Sequence, residues 1–274
     1  MQRQPHPKRL ALDIRRGIWA LHQPESWLPI ALKVLRGETV ATDYDDDDDA
    51  AYAEADGQKI VIIPLHSAIT KYDTCFSYGM LYVGDRIKDL ADDPACSGLI
   101  LDIDSGGGSV NAIAPIKEAI AYFKATGKPV IAHCDACFSA AYWIASMCDS
   151  VFADNKLSEF GSIGVYSQLI DDREDKQTGT RIISVYAKES PDKNADYREA
   201  LDGKPERLQA KLTPIANAFH ADVKAGRPNL QADAPGVLTG DTFYAEDAIR
   251  LGLADGILTL EQCVENIFIR TNIN

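Results

Sequence analysis

The sequence has no hydrophobic run that could cross a bilayer. A membrane-spanning helix needs about 20 consecutive apolar residues, and no segment of the 274-residue chain approaches that length. A secretory leader is also missing, because the basic N-terminal stretch is followed by Asp13, Arg15 and Arg16 instead of an apolar core. We therefore expect a cytoplasmic chain without an integral membrane segment.

Basic residues are too few for a nucleic-acid-binding protein. The formal net charge is −13, and residues 43–56 alone hold eight acidic residues and no basic one. Nucleic-acid binding depends on lysine and arginine that neutralise phosphates. We therefore exclude nucleic acid as a partner.

Cysteine is sparse as well, with six in the whole chain. Without a leader, these residues indicate reduced thiols and not a disulfide framework. Cys134 and Cys137, next to His133, leave a thiol redox or metal protein as one alternative. A tetrahedral zinc site would need a second pair of ligands at suitable spacing, which the sequence lacks. We predict neither a metal nor another cofactor.

Three regions are predicted along the chain. Residues 1–41 read as an N-terminal amphipathic helical arm, because apolar residues such as Trp27, Ile30 and Val34 recur at helical spacing among basic ones. Residues 42–57 read as an acidic flexible linker, because like charges repel and little apolar surface is present. Residues 58–274 form the main domain.

Within the main domain, short apolar runs alternate with amphipathic segments of helical length. The runs are Ile60 to Leu65, Gly98 to Ile103, Val130 to His133 and Ser150 to Ala153, and the helical segments are 79–92, 110–126, 139–148 and 205–225. This alternation predicts an α/β fold with a largely parallel sheet covered by helices.

A glycine-rich turn follows the second run. The strand ending in Asp104 and Ser105 leads directly into Gly106, Gly107 and Gly108. Glycine leaves backbone N–H groups unobstructed, which suits an oxyanion hole for acyl transfer. A tight turn between a strand and a helix is the structural alternative. A P-loop is excluded, because its lysine and hydroxyl residues are missing.

A serine follows the third run. Ser139 stands at the start of an apolar helix, where the small residues Ala140 and Ala141 leave room for a substrate backbone. A helix N-cap is the alternative explanation. None of the five histidines follows Ser139 at close range, so a serine nucleophile would need another base. Lys193 is a candidate, since a desolvated lysine can act as a general base, although it could also be an ordinary surface lysine.

Together these motifs resemble signal peptide peptidase A and the related phage head maturation (capsid assembly) proteases, which share the Clp protease/crotonase-like α/β superhelix of βαβ units. The resemblance covers residues 60–255. It rests on the segments Asp102 to Gly108, Ser139 to Ala145, Gly161 to Val165 and Thr239 to Gly256.

The resemblance implies a serine endopeptidase with a serine-lysine dyad. Ser139 would be the nucleophile, and Lys193 the base, in a loop after a predicted strand from Arg181 to Ala187, with Lys188 as the competing lysine. Gly107, Gly108 and Ala140 would form the oxyanion and substrate-binding site. Two departures from the family pattern stand out, Gly106 in place of proline and Cys137-Phe138 in place of small residues.

The missing membrane anchor favours the phage or prophage type, which cleaves scaffold, portal or capsid proteins in the cytoplasm or procapsid. The alternatives are a peptidase that degrades cleaved signal peptides, an inactive scaffold on the same fold, and a crotonase-type acyl-CoA enzyme. The resemblance also implies a homo-oligomer that acts on peptide or protein substrates.

Overall fold

The computed structural model describes residues 18–21, 51–55, 57–74, 77–169, 171, 173–174, 178–181 and 183–272. The strands are β1 (Ile18–Leu21), β2 (Ala51–Ala55), β3 (Gln58–His66), β4 (Cys96–Ser105), β5 (Gly107–Ser109), β6 (Val130–Phe138), β7 (Ser150–Ala153), β8 (Glu159–Gly161), β9 (Tyr166–Ser167), β10 (Thr242–Tyr244) and β11 (Gly256–Ile257). The helices are α1 (Met80–Asp92), α2 (Ile113–Ala125), α3 (Ala140–Ala145), α4 (Ala195–Leu201), α5 (Glu206–Gly226), α6 (Ala245–Arg250) and α7 (Leu260–Asn272).

The main sheet has eight strands with a parallel centre. Its order is β10-β8-β6-β4-β3-β2, and β7 pairs with both β6 and β11. Strand β6 forks, because Ile131–Cys134 pair with β7 whereas Ala136–Phe138 pair with β8. The parallel strands β3, β4 and β6 confirm the predicted α/β class.

The central strands are buried on both faces. In β4, Leu99, Ile100 and Leu101 are each 0% exposed, which explains why this strand reads as a continuous apolar run. Helices α1 and α2 contribute to the larger core on one face. On the other face, Cys263 and Ile267 of α7 contribute to a second core. The sheet therefore forms a middle layer between helices.

A second, antiparallel sheet has the order β5-β1-β9. Its middle strand is Ile18–Leu21, the only described part of residues 1–41. At these four residues the predicted amphipathic helix is wrong, and the remaining residues of the predicted arm lie outside the described residues. Pairing with strands that follow much later in the chain is a long-range effect that local helical periodicity does not report.

Two further sequence-based predictions need correction. Ala51–Ala55 form a strand antiparallel to β3, although they fall within the predicted flexible linker. The predicted strand from Arg181 to Ala187 is absent from the described residues, where only Arg181 forms an isolated bridge, to Glu174. The remaining linker residues lie outside the described part of the chain, except Gly57 in a turn.

Candidate active site

Ser139 occupies the junction between β6 and α3. Its backbone has φ 55° and ψ −118°, and its side chain does not cap the helix. Instead, Ser139 Oγ donates to the Gly164 carbonyl at 3.4 Å, and the residue is only 1% exposed. A positive φ in a residue other than glycine costs of order 1–3 kcal/mol and persists only where the surroundings enforce it. The N-cap explanation therefore does not account for this serine.

The backbone of Ser139 is held by Gly161. The Ser139 N–H donates to the Gly161 carbonyl at 2.8 Å. Gly161 has φ +124°, and a Cβ at this position would lie 2.4 Å from the Asp241 carbonyl oxygen. Ser162 N–H donates to the same oxygen at 2.7 Å. Two motifs far apart in the sequence, 161–165 and 239–256, thus meet directly behind the serine.

The glycine-rich turn lies beside Ser139. In the parallel pairing of β4 and β6, Ser105 is opposite Cys137, so both strands end at the same edge of the sheet. Ser105 Oγ donates to the Ser67 carbonyl and accepts the Gly107 N–H at 3.1 Å. Sequence reasoning missed this role of Ser105, which the preference of serine for turns could have indicated.

Gly108 presents its amide away from the body of the turn. Ile69 N–H donates to the Gly107 carbonyl and Ser109 N–H donates to the Ile69 carbonyl, each at 2.8 Å. Because a trans peptide places its C=O and N–H on opposite sides, the Gly108 N–H faces away from Ile69. A Cβ on Gly108 would lie 1.9 Å from the Ile69 carbonyl oxygen, so only glycine fits. Strand β5, which contains Gly108, contacts α3.

Lys193 lies in the loop before α4 and is exposed. Its backbone N–H donates to the Ser190 carbonyl at 3.3 Å. Lys188 is exposed too. Among the hydrogen bonds of the described residues, none joins Ser139 to either lysine. The structure therefore brings Ser139, Ala140 and the Gly108 strand together and leaves both candidate bases at the surface.

The cysteines have the environment of buried structural thiols. Cys134 and Cys137 are both buried and free of disulfides. Burial, reinforced by a hydrogen bond involving Cys137, raises the pKa of the Cys134 thiol, whereas a reactive cysteine needs a lowered pKa. Within the described ranges, no three His, Cys, Asp or Glu side chains are arranged to hold a metal ion.

A charged cluster on the α7 side of the sheet was not predicted. Asp102 Oδ1 lies 2.7 Å from His133 Nδ1, and Asp102 Oδ2 lies 3.0 Å from His66 Nε2. His133 Nε2 lies 3.2 Å from Asp154 Oδ1. Although burial disfavours their charged forms, these contacts hold the pKa of Asp102 well below its usual range and raise the pKa of His133. The sequence does contain a signal for this cluster, because Asp102 and His133 are polar residues within otherwise apolar runs.

The helices of the described segments differ from membrane-spanning helices. None of them combines the length and the apolar composition that a membrane crossing requires.

Known proteins resemble this chain in sequence and in fold. "Protease 4" of Salmonella typhi is 25% identical over 214 residues, which make up 77% of this chain and 34% of that protein. "Protease 4" of Haemophilus influenzae is 36% identical over 81 residues, covering 29% of this chain and 12% of that protein. The chain thus spans about a third or less of the length of these relatives.

Two solved structures are similar in overall arrangement. The 1510-N membrane-bound stomatin-specific protease matches with a TM-score of 0.43 and 15% identity, over 74% of this chain and 82% of that one. An enoyl-CoA hydratase from Shewanella pealeana matches with a TM-score of 0.49 and 12% identity, over 82% of this chain and 74% of that one.

The family comparison covers helix α3 and the segments that follow it. A model of Peptidase family S49 matches residues 122–273, more than half of the chain. The chain therefore belongs to Peptidase family S49, a family of serine peptidases, as the resemblance of its motifs predicted.

Proposed function

We propose that this chain is a serine endopeptidase in which Ser139 is the nucleophile. The observation that carries the proposal is the strained backbone of Ser139, with φ 55° and ψ −118°, at a strand-to-helix turn where its hydroxyl leaves the helix uncapped. A sharp turn of this kind is used by other hydrolases to present a serine to substrate. Family membership supports the same assignment.

Two backbone amides are suited to hold the oxyanion. The Ala140 N–H belongs to the first residue of α3, where no carbonyl of the helix itself can accept it. The Gly108 N–H faces away from Ile69, on the strand that contacts α3. Gly107 is the weaker of the two predicted glycine donors, because its N–H already donates to Ser105 Oγ. We assign the oxyanion hole to Gly108 and Ala140.

Lys193 is proposed as the general base, with Lys188 as the alternative. Its exposure in the structure means that its amine must be brought to Ser139 and desolvated, either within the chain or from a second copy. Two large apolar residues between Arg181 and the Lys193 loop, Ile183 and Val185, are 83% and 90% exposed. Burial of these side chains against another subunit would support the proposed homo-oligomer.

The mechanism follows from these roles. The neutral amine of Lys193 takes the proton of Ser139 Oγ, and the oxygen attacks the carbonyl carbon of a peptide bond. The N–H groups of Gly108 and Ala140 stabilise the negative oxygen of the tetrahedral intermediate. The amine product leaves with a proton from the lysine, and water then hydrolyses the acyl-enzyme.

For the biological role, we propose maturation of a phage or prophage head, with scaffold, portal or capsid proteins as substrates. The resemblance of the sequence motifs to those of phage head maturation proteases supports this role. Degradation of cleaved signal peptides is the second candidate, and the similarity to Protease 4 supports it equally. Cleavage of a synthetic signal peptide at a rate well above that of unfolded casein would favour the second role.

The catalytic proposal is tested by casein hydrolysis with matched variants. We expect Ser139→Ala and Lys193→Ala each to lower the rate at least 1000-fold, in line with the loss of a nucleophile or its base. Ser146→Ala should retain the wild-type rate, because Ser146 Oγ donates to the Trp143 carbonyl at the far end of the same helix. Lys188→Ala should also retain this rate, because Lys193 is the proposed base. Hydrolysis by Ser139→Ala at the wild-type rate would refute the proposal, and loss in Lys188→Ala alone would reassign the base.

A further inference from the structure

Strand β1 lies between two other strands and pairs with no further strand among the described residues. It pairs antiparallel with β5, with Ala20 opposite Gly108, and antiparallel with β9, with Trp19 opposite Tyr166. The small sheet consists of these three strands. Removing β1 would leave a gap between β5 and β9, which we call the strand cleft, with one unpaired backbone edge on each side.

The strand cleft lies at the nucleophile. Its first wall, β5, contacts α3, which begins directly after Ser139. Its second wall, β9, begins two residues after Gly164, whose carbonyl accepts the Ser139 hydroxyl. A cleft with two strand edges binds an extended peptide through main-chain hydrogen bonds to both sides. The walls are therefore suited to hold a peptide across Ser139.

The register of β1 directs one residue toward the proposed oxyanion hole. The N–H and C=O of Gly108 both face away from Ile69, since the neighbouring Gly107 carbonyl and Ser109 N–H face toward it. Ala20 is opposite Gly108 in the antiparallel pairing. In such a pair the two residues exchange both hydrogen bonds, so the Ala20 carbonyl faces the Gly108 N–H. This is the position that a substrate carbonyl would take.

We propose that Ile18–Leu21 act as an internal pseudosubstrate, which closes the active site until this segment leaves the strand cleft. The inference rests on the proposed function, because it assigns Gly108 and Ser139 to catalysis. The 1% exposure of Ser139 agrees with a closed site. Substrates of the open enzyme are then extended peptides that run antiparallel to both β5 and β9.

The test is the rate at which a fluorophosphonate probe labels Ser139 in the full-length chain. Ala20→Pro removes the N–H that faces Gly108, and a proline disrupts a strand that is paired on both sides. Trp19→Pro removes the N–H on the β9 side of the strand, where Trp19 is opposite Tyr166. It serves as a second variant should the first fail to fold. Ala11→Pro, outside β1, is the matched control.

We expect both β1 variants to label at least tenfold faster than wild type, and Ala11→Pro to label at the wild-type rate. A synthetic peptide of residues 15–24 should slow the labelling of Ala20→Pro, whereas the same peptide with proline at the Ala20 position should not. Equal labelling of Ser139 in wild type and both β1 variants would overturn the inference and leave the proposed function intact. Failure of every variant to label would overturn the proposed function, and the inference with it.

Discussion

His133 Nδ1 and Asp102 Oδ1 lie 2.7 Å apart on the neighbouring strands β6 and β4, and each residue has buried apolar neighbours on both sides along its strand. His133 is 6% exposed. Burying a charged group is costly unless the group is paired and hydrogen-bonded. Loss of either partner of this pair should therefore destabilise the sheet.

The contact between His133 and Asp102 should make the free energy of unfolding fall both at low pH and at high pH. The pKa of Asp102 is lowered by folding, so its contribution is lost as pH falls below about 4, the value of an unfolded aspartate. The pKa of His133 is raised, so its contribution is full below about 6.5 and is lost as pH rises through the folded value. Urea unfolding should therefore show a larger loss of stability in His133→Asn at about pH 5.5 than at about pH 8.5. A loss that is independent of pH would contradict this expectation.

Gly108 should tolerate no side chain. In Gly108→Ala the new methyl group would meet the Ile69 carbonyl oxygen at 1.9 Å, and overpacking of this kind costs typically about 1–3 kcal/mol of unfolding free energy. Gly256→Ala is the control, because its methyl group would contact Phe152 at 3.6 Å, an ordinary van der Waals distance. Equal midpoints of urea unfolding for the two variants would contradict this prediction, because they would show that the turn around Gly108 can move to accept a methyl group.

Arg227 should matter far more than a surface arginine. It is buried and makes two hydrogen bonds to Asp255, at 2.6 Å and 2.8 Å. Hydrogen bonds to charged groups contribute about 1.5–3 kcal/mol, and the partial exposure of Asp255 places the expected loss in Arg227→Met at about 2 kcal/mol. Arg250→Met breaks an exposed pair with Asp247 and should cost under about 1 kcal/mol. The comparison fails if chemical unfolding ranks the two variants in the opposite order.

The described cysteines should be unreactive in the folded protein. Burial raises the pKa of Cys134 and of Cys148, and it raises the pKa of Cys263 to about 12. Iodoacetamide should therefore leave these thiols unmodified in mass spectra of the folded chain and modify all of them in urea. Rapid native alkylation of Cys134 or Cys137 with loss of activity would revive a thiol-based chemistry.

Much of the main sheet was predictable, because its strands and helices can be recognised from the local pattern of apolar and polar residues. Buried parallel strands such as Leu99 to Ile103 read as apolar runs, and the amphipathic segments 79–92 and 205–225 match α1 and α5 closely. The position of Ser139 was predictable for the same reason, since a serine directly after a buried strand marks a turn into a helix. The family followed from four such motifs in order.

The remaining features depend on contacts that no local pattern contains. Ile18–Leu21 form a strand only because β5 and β9 offer two edges to it. Ile183 and Val185 alternate as strand residues do, but they have no strand partner among the described residues and stay exposed. The contact of His133 with Asp102 required the register of β4 and β6, which is a property of the assembled sheet.

The location of β1 within the strand cleft has a consequence for how ligands of this chain are measured. A tethered strand meets its cleft at an effective concentration set by the linker, on the order of millimolar for short flexible linkers. Any free peptide binds only the fraction of molecules in which the cleft is vacant, so its apparent affinity is lowered by that fraction. Inhibitor screens on the intact chain would thus underestimate the affinity of every compound that binds in the strand cleft, and they would do so by the same factor.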